Sequence, residues 1–305
     1  MTGVAVLGYA SLDHAMQLAA FHGPDATSVV TGRLSDEWPR PGGIAHHVRA
    51  LRAAGADEVL PVSWVGPDAG GDAWTAALVA AGAATAGVRV CGTRTPSSYL
   101  MYAGDGGAVC VFDPADCHGD AGALTPAQQD AVRSAGWCLL AVAPQQATRD
   151  ALALLPDGAR LVWAVKHDAQ AYPPDLVEAL LARADVVSLS AGERPFLDRP
   201  GRTLEERVRP GTLVVETRGA AGVHARLGGE ADDVPVTPVT AVDTTGAGDT
   251  FVGTLVAGLL ALPARLSLAT ARPALVAAAA AATDLIASRG ARRTTPGPRT
   301  APTEE

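Results

Sequence analysis

The chain has 305 residues, of which 48% are hydrophobic and 18% charged, a balance that excludes intrinsic disorder for its bulk. That length leaves room for one large α/β domain with an insertion. A formal net charge of −8 supplies no general basic surface, so nucleic acid is not an expected partner.

The first element is an apolar strand at Val4–Leu7, reached without a basic leader. Nothing further along is long and apolar enough to suggest a membrane span, so the expectation is a soluble, cytoplasmic protein. Residues 14–30 lack helical periodicity and are expected to form strands of a small accessory sheet. A helix over 44–54, a strand at Val59–Val65, a helix over 73–81 and a strand over 88–91 then alternate. Two strand-like runs between 97 and 113 flank Gly104-Asp105-Gly106-Gly107, which predicts a β-hairpin rather than a crossover. The alternation resumes with strands at 137–142, 161–165 and 186–189 and helices at 148–155 and 175–182. Parallel strands covered by helices on both faces are the packing this order demands. Cys91, Cys110, Cys117 and Cys138 have no C-x-x-C spacing and are expected to be reduced, buried thiols. The tail over 292–305, rich in Pro, Thr and charge, is expected to be disordered.

The most informative stretch is Asp243-Thr244-Thr245-Gly246-Ala247-Gly248-Asp249-Thr250-Phe251 before an apolar run. Gly246, Ala247 and Gly248 permit a tight loop whose amides open a helix, and such amides together with the helix dipole favour an anion. An acidic Asp249 would repel a resting phosphate, so its expected task is to take a proton from a hydroxyl that attacks the phosphorus. The plainer alternative makes Thr244 or Thr245 a helix cap and Asp249 a complement to the dipole. Neither a G-x-x-x-x-G-K-[ST] loop nor a full G-x-G-x-x-G fingerprint occurs.

With its D-T-T-G-A-G-D-x-F stretch, the chain resembles the ribokinase or PfkB family of carbohydrate and nucleoside kinases. The resemblance extends over 1–291, through Gly8 and Asp13, Gly42-Gly43, the T-x-G-x-x-G segment from Thr217 to Gly222, and the alanine-rich helix near Gly290-Ala291. It implies a three-layer α/β/α sandwich with a mostly parallel central sheet and a small β lid drawn from segments near 14–35 and 88–117. It further implies that Asp249 is the catalytic base and that Gly246, Ala247 and Gly248 form the anion hole. Thr217, Gly219, Gly222 and Thr245 would bind ATP, while Asp13, Gly42 and Gly43 would face the acceptor. Asp243, with carbonyls near Thr245, Ser288 and Gly290, matches a place where many members hold a monovalent cation, usually potassium.

Three departures bear on substrate. Where the family usually has an asparagine after Gly42-Gly43, this chain reads Ile44-Ala45-His46-His47, and His47 stands nearest that place. Adjacent residues on a helix point apart, so the two cannot both face one site: either His46 or His47 replaces the amide with an imidazole, or the two are simply a helix-surface pair. In Ser190-Ala191-Gly192-Glu193 the family's N-x-x-E keeps only its glutamate, expected to organise Mg²⁺ through water or simply to stabilise a helix start. Lys166, just past a strand end, is placed either to meet a phosphate or as a solvated loop cation. The expected function is ATP- and Mg²⁺-dependent transfer of the γ-phosphate to a primary hydroxyl of a small sugar. The alternatives are a nucleoside kinase, because G-G-I-A-H-H also resembles the G-G-V-A-R-N of pseudouridine kinases, and a metabolite-binding homologue without turnover. Tyr99, Met101, Val109 and Val111 alternate along the hairpin, and lids of this family often pair, so a homodimer is expected.

Overall fold

Strand β1 (Val4–Leu7) has every residue buried, as a central strand must when helices cover both faces of a sheet. Val4 and Val6 face one hydrophobic cluster and Ala5 and Leu7 the other, the two-residue period of a strand. A computed structural model describes residues 3–103, 108–116, 122–240, 243–262 and 265–294, with side chains to residue 289. The hairpin tip at 104–107, Cys117 and residues 295–305 of the expected tail lie outside the described residues.

The remaining strands in chain order are β2 (Ala10–Leu18), β3 (Val30–Arg33), β4 (Arg40–Gly43), β5 (Val59–Val65), β6 (Val88–Val90), β7 (Ser97–Tyr102) and β8 (Ala108–Asp113). They continue with β9 (Trp137–Leu140), β10 (Arg160–Ala164), β11 (Val186–Ser190), β12 (Leu213–Thr217), β13 (Val223–Leu227) and β14 (Glu230–Val234). The helices are α1 (Ile44–Ala53), α2 (Ala69–Ala80), α3 (Pro126–Ser134), α4 (Gln145–Leu154), α5 (Pro174–Arg183), the single turns α6 (Arg194–Leu197) and α7 (Leu204–Arg207), α8 (Ala247–Leu259) and α9 (Leu268–Thr294).

Nine strands form the central sheet in the order β14-β13-β12-β11-β10-β9-β1-β5-β6. All neighbours from β6 to β12 are parallel, and β13 and β14 close that edge antiparallel. Helices α1, α2, α8 and α9 supply Leu51, Trp74, Phe251 and Leu275 to one face, while α3, α4 and α5 supply Val132, Ala147 and Leu180 to the other. Burying each Val, Leu or Phe of this set contributes roughly 1.5–3 kcal/mol. The three-layer expectation therefore holds.

A second sheet joins β3-β2-β7-β8, with β4 pairing β2. The expected hairpin is there, β7 against β8 antiparallel, but β2 runs parallel to β7. Residues 88–90 depart from the expected lid span: they extend the central sheet beside β5, because Ser63 to Val65 supply a parallel partner in register. Residues 292–294, expected to lie in the tail, belong instead to α9, which continues to Thr294. Of the cysteines, Cys138 is buried, Cys91 half-buried and Cys110 exposed, so the expectation of uniform burial fails at Cys110 on the small sheet.

Parallel strands deliver all their following loops to one end. Gly8 after β1, Lys166 after β10, Glu193 after β11 and the 217–222 turn after β12 consequently gather there. The cleft of about 760 Å³ beside Arg160, Asp185 and Arg265 is at the opposite end, where β10 and β11 begin.

Candidate active site

Helix α8 starts at Gly246, whose φ of 73° is left-handed and whose missing Cβ leaves room for a ring: a Cβ there would lie 2.8 Å from the His46 imidazole. No threonine side chain caps the helix; Asp243 Oδ1 instead accepts the Thr245 amide at 2.9 Å. Of the three residues expected to cradle an anion, Ala247 commits its amide to the Thr244 carbonyl at 3.0 Å. Helix geometry leaves the amides of Gly248 and Asp249 without an intrahelical carbonyl, and a Cβ on Gly248 would meet nothing within 4 Å. That end of α8 is open.

Asp249 sits in the first turn of α8 with its side chain 24% exposed. His47 Nε2 lies 3.5 Å from Asp249 Oδ1. The close crossing of α1 and α8 creates this approach, because a Cβ on Gly253 would come within 2.7 Å of Ala50 Cβ and of the His47 carbonyl. Burial pushes the Asp249 carboxyl up, but His47 and Lys166 more than offset it and hold it below the usual carboxylate range. His47 is fully buried, and both its ring nitrogens lack a hydrogen-bond partner. Burial lowers its pKa, only partly opposed by Asp249.

The two histidines do not converge on one group. They point apart, as neighbours on a helix must, and the acids flank α1: His46 Nε2 lies 2.8 Å from Asp13 Oδ2, while His47 turns toward Asp249. Asp13 also accepts from Ser11 Oγ at 2.9 Å, and Ser11 Oγ lies 2.7 Å from Ser98 Oγ on the small sheet. A Cβ on Gly42 would come within 2.1 Å of the Asp13 carboxylate, and Gly43, φ 58°, caps α1 against the Tyr9 carbonyl. The glycine pair is what lets Asp13 approach β4 and the start of α1.

Lys166 Nζ is 3.3 Å from Glu193 Oε1, with the lysine side chain 57% exposed and that of Glu193 only 12%. Desolvation works against the ammonium, yet the carboxylates of Asp249 and Glu193 outweigh it and raise its pKa. Glu193 Oε2 meanwhile accepts the Ser190 amide at 2.7 Å in a capping box, the helix-start role weighed above. Among the described residues no group of three or more His, Cys, Asp or Glu is arranged to hold a metal ion.

The 217–222 turn is a 3₁₀ turn, with Gly219 at φ 56° and Gly222 at φ 91°. A Cβ at Gly222 would strike the Val234 carbonyl at 2.4 Å, while Gly219 faces open space. Thr217 Oγ1 donates to the Leu189 carbonyl at 3.4 Å, tying this turn to the end of β11.

Asp243 is buried and ringed by groups that the sequence did not single out. Arg40 Nη2 lies 3.0 Å and Arg289 Nη1 3.3 Å from its Oδ2, and Arg289 also donates to the Thr245 carbonyl. Burial raises the Asp243 carboxyl, but the Thr245 hydrogen bonds and both arginines pull it below the usual range. Tyr102, on β7, holds Thr245 from the other side, hydroxyl to hydroxyl at 2.8 Å. These three partners come from β4, α9 and the small sheet, separations over which no local sequence pattern operates.

A loop of small residues thus opens a helix, and a carboxylate stands on its first turn. The model of the pfkB family carbohydrate kinases matches residues 1–296. The chain belongs to that family. Among curated relatives it is 42% identical to a fructokinase of Klebsiella pneumoniae over 106 residues, 32% of this chain and 34% of that protein. The matched region thus spans about a third of that relative. Among solved structures it is similar to a nucleoside kinase of Burkholderia thailandensis in complex with inosine, at a TM-score of 0.72, 17% identity, and 98% and 93% coverage of the two chains. It is equally similar, at 0.72, to a ribokinase of Cryptococcus neoformans var. grubii in complex with ADP, with 20% identity over 96% and 99% of the two chains. These likenesses carry the pfkB kinase's fold. Among the described residues no helix is long and apolar enough to cross a membrane.

Proposed function

We propose that this pfkB-family chain is an ATP-dependent kinase that transfers a γ-phosphoryl group to a primary hydroxyl of a small sugar. One observation carries the reading: Asp249, on the open first turn of α8, stands 3.5 Å from a buried imidazole whose ring nitrogens have no hydrogen-bond partner. An unpartnered buried polar group costs about 1–3 kcal/mol, so the His47 nitrogens are best explained by a ligand that completes them. Asp249 takes the hydroxyl proton, and the amides of Gly248 and Asp249 with Lys166 meet the charge on the moving phosphoryl. Asp13, braced by Ser11 and His46, keeps carboxylate lone pairs for an acceptor hydroxyl.

The nucleotide would approach Gly248 and Gly219, where a Cβ would meet nothing within 4 Å. When bound it would supply the phosphoryl group, with Mg²⁺ neutralising phosphate oxygens; since no group of three or more His, Cys, Asp or Glu among the described residues is arranged to hold a metal, such an ion would arrive with the nucleotide, and Glu193 would reach it only through water. The sheet of β2, β3, β4, β7 and β8 acts as the lid that excludes water. Its outward pair Tyr99 and Val111, 39% and 51% exposed, suits pairing of two lids in a homodimer.

A coupled ADP-release screen with MgATP against pentoses, hexoses and nucleosides tests this. Release with a sugar is the expected outcome. Release with nucleosides alone selects the second reading, favoured by the fold shared with the inosine-bound nucleoside kinase. Thermal stabilisation by a metabolite with no ADP release would instead mark a binding protein.

A further inference from the structure

We infer that Arg289 is a built-in replacement for the monovalent cation, so that this chain runs without potassium. The inference rests on the kinase reading of the α8 loop and concerns how that loop is held. Two oxygens assigned above to a potassium ion are the Asp243 carboxylate and the Thr245 carbonyl. Arg289 Nη1 is 3.3 Å from the first and donates to the second, with its side chain 13% exposed. One guanidinium nitrogen therefore makes both contacts.

A second guanidinium leaves no room for an ion's charge. Arg40 Nη2 lies 3.0 Å from the same Asp243 oxygen, with its side chain 11% exposed and that of Asp243 2%. The cluster holds two positive charges against one negative, and an alkali cation entering it would be repelled in a buried, weakly screened place. Guanidinium is permanently charged and directional, and it comes tethered to α9, so it supplies the ion's charge without the entropy of capturing one. Thr245 is the shared point, fixed by Asp243 through its amide, by Tyr102 through its hydroxyl and by Arg289 through its carbonyl. Arg289 is thus a positioning residue: it sets the loop whose next residues open α8.

The test titrates K⁺ against tetramethylammonium at constant ionic strength, using the full chain. The expected result is that wild-type turnover and nucleotide-free Tm do not depend on which cation is present. Arg289→Ala should lose about 10²-fold in kcat without K⁺, the scale of a misplaced loop, and regain most of it with K⁺ or guanidinium. Its nucleotide-free Tm should rise saturably with K⁺ but not with tetramethylammonium. Saturable K⁺ activation of the wild type, or a K⁺-specific rise of its Tm, overturns the inference. So does an Arg289→Ala protein that stays fully active without K⁺, or one that K⁺ does not rescue. Should Arg289→Ala fail to fold, the wild-type titrations decide alone. The Tm arm needs no turnover, so an inactive protein whose wild-type melting ignores K⁺ would count against the kinase reading and not against this one.

Discussion

Helix α1 meets two acids through two adjacent histidines, and the pairs differ in a way that separates support from chemistry. Asp13 and His46 are both buried, 2.8 Å apart, with Ser11 completing the carboxylate and the His46 ring packed on Gly246. Asp249 and His47 stand 3.5 Å apart, the acid partly exposed and the imidazole without a hydrogen bond. The first pair is hydrogen-bonded and braces the loop while leaving Asp13 lone pairs to spare; the second makes no hydrogen bond and stands beside open space. A bonded polar pair stabilises the fold, whereas buried polar atoms without a partner retain capacity for a ligand.

Substitutions can break that contrast. Asp249→Asn should lower kcat by about 10²–10⁴ while leaving Tm nearly unchanged, since it removes general-base assistance but keeps the shape; a variant with near-normal turnover would remove Asp249 from the chemistry. Lys166→Met, at a half-exposed ammonium, should cost on the order of 10² in kcat with little effect on Tm, and an unaltered kcat would make it a solvated ion-pair partner of Glu193. Asp13→Ala should behave oppositely in stability, losing about 1–3 kcal/mol because His46 and Ser11 lose their partner. Denaturant melts showing no loss would mean that the Asp13 pair is not a brace.

The smallest effect sharpens the comparison by pH. The folded pKa of His47 lies below its ordinary 6.5, burial outweighing the pull of Asp249. Between that folded value and 6.5 the unfolded chain binds more protons than the folded one, so stability falls as pH drops through this window. His47→Gln should flatten the pH dependence of Tm there and change Tm little at pH 8. A slope identical to the wild type would place the titration elsewhere.

Much of the fold was legible because its signals are local. The strand at Val4–Leu7, the hairpin around 104–107 and the helix opened by Gly246 follow from periodicity and turn chemistry. Residues 88–90 follow the strand–helix alternation into the central sheet, in register with Ser63 to Val65, although the lid span of 88–117 that the family resemblance implied took them in. Asp249 and Lys166 could be picked out from their neighbours along the chain. Arg40, Tyr102 and Arg289 could not, since 203, 143 and 44 residues separate them from the loop atoms they hold.

From its sequence alone, then, this protein could be assigned a layered α/β core, a glycine turn opening a helix and a carboxylate poised on it, all consequences of short-range steric and hydrophobic periodicity. The tertiary structure decided which histidine serves which acid and which cation sits on Asp243. Those choices depend on through-space distance and burial, quantities set only when helices from opposite ends of the chain pack together.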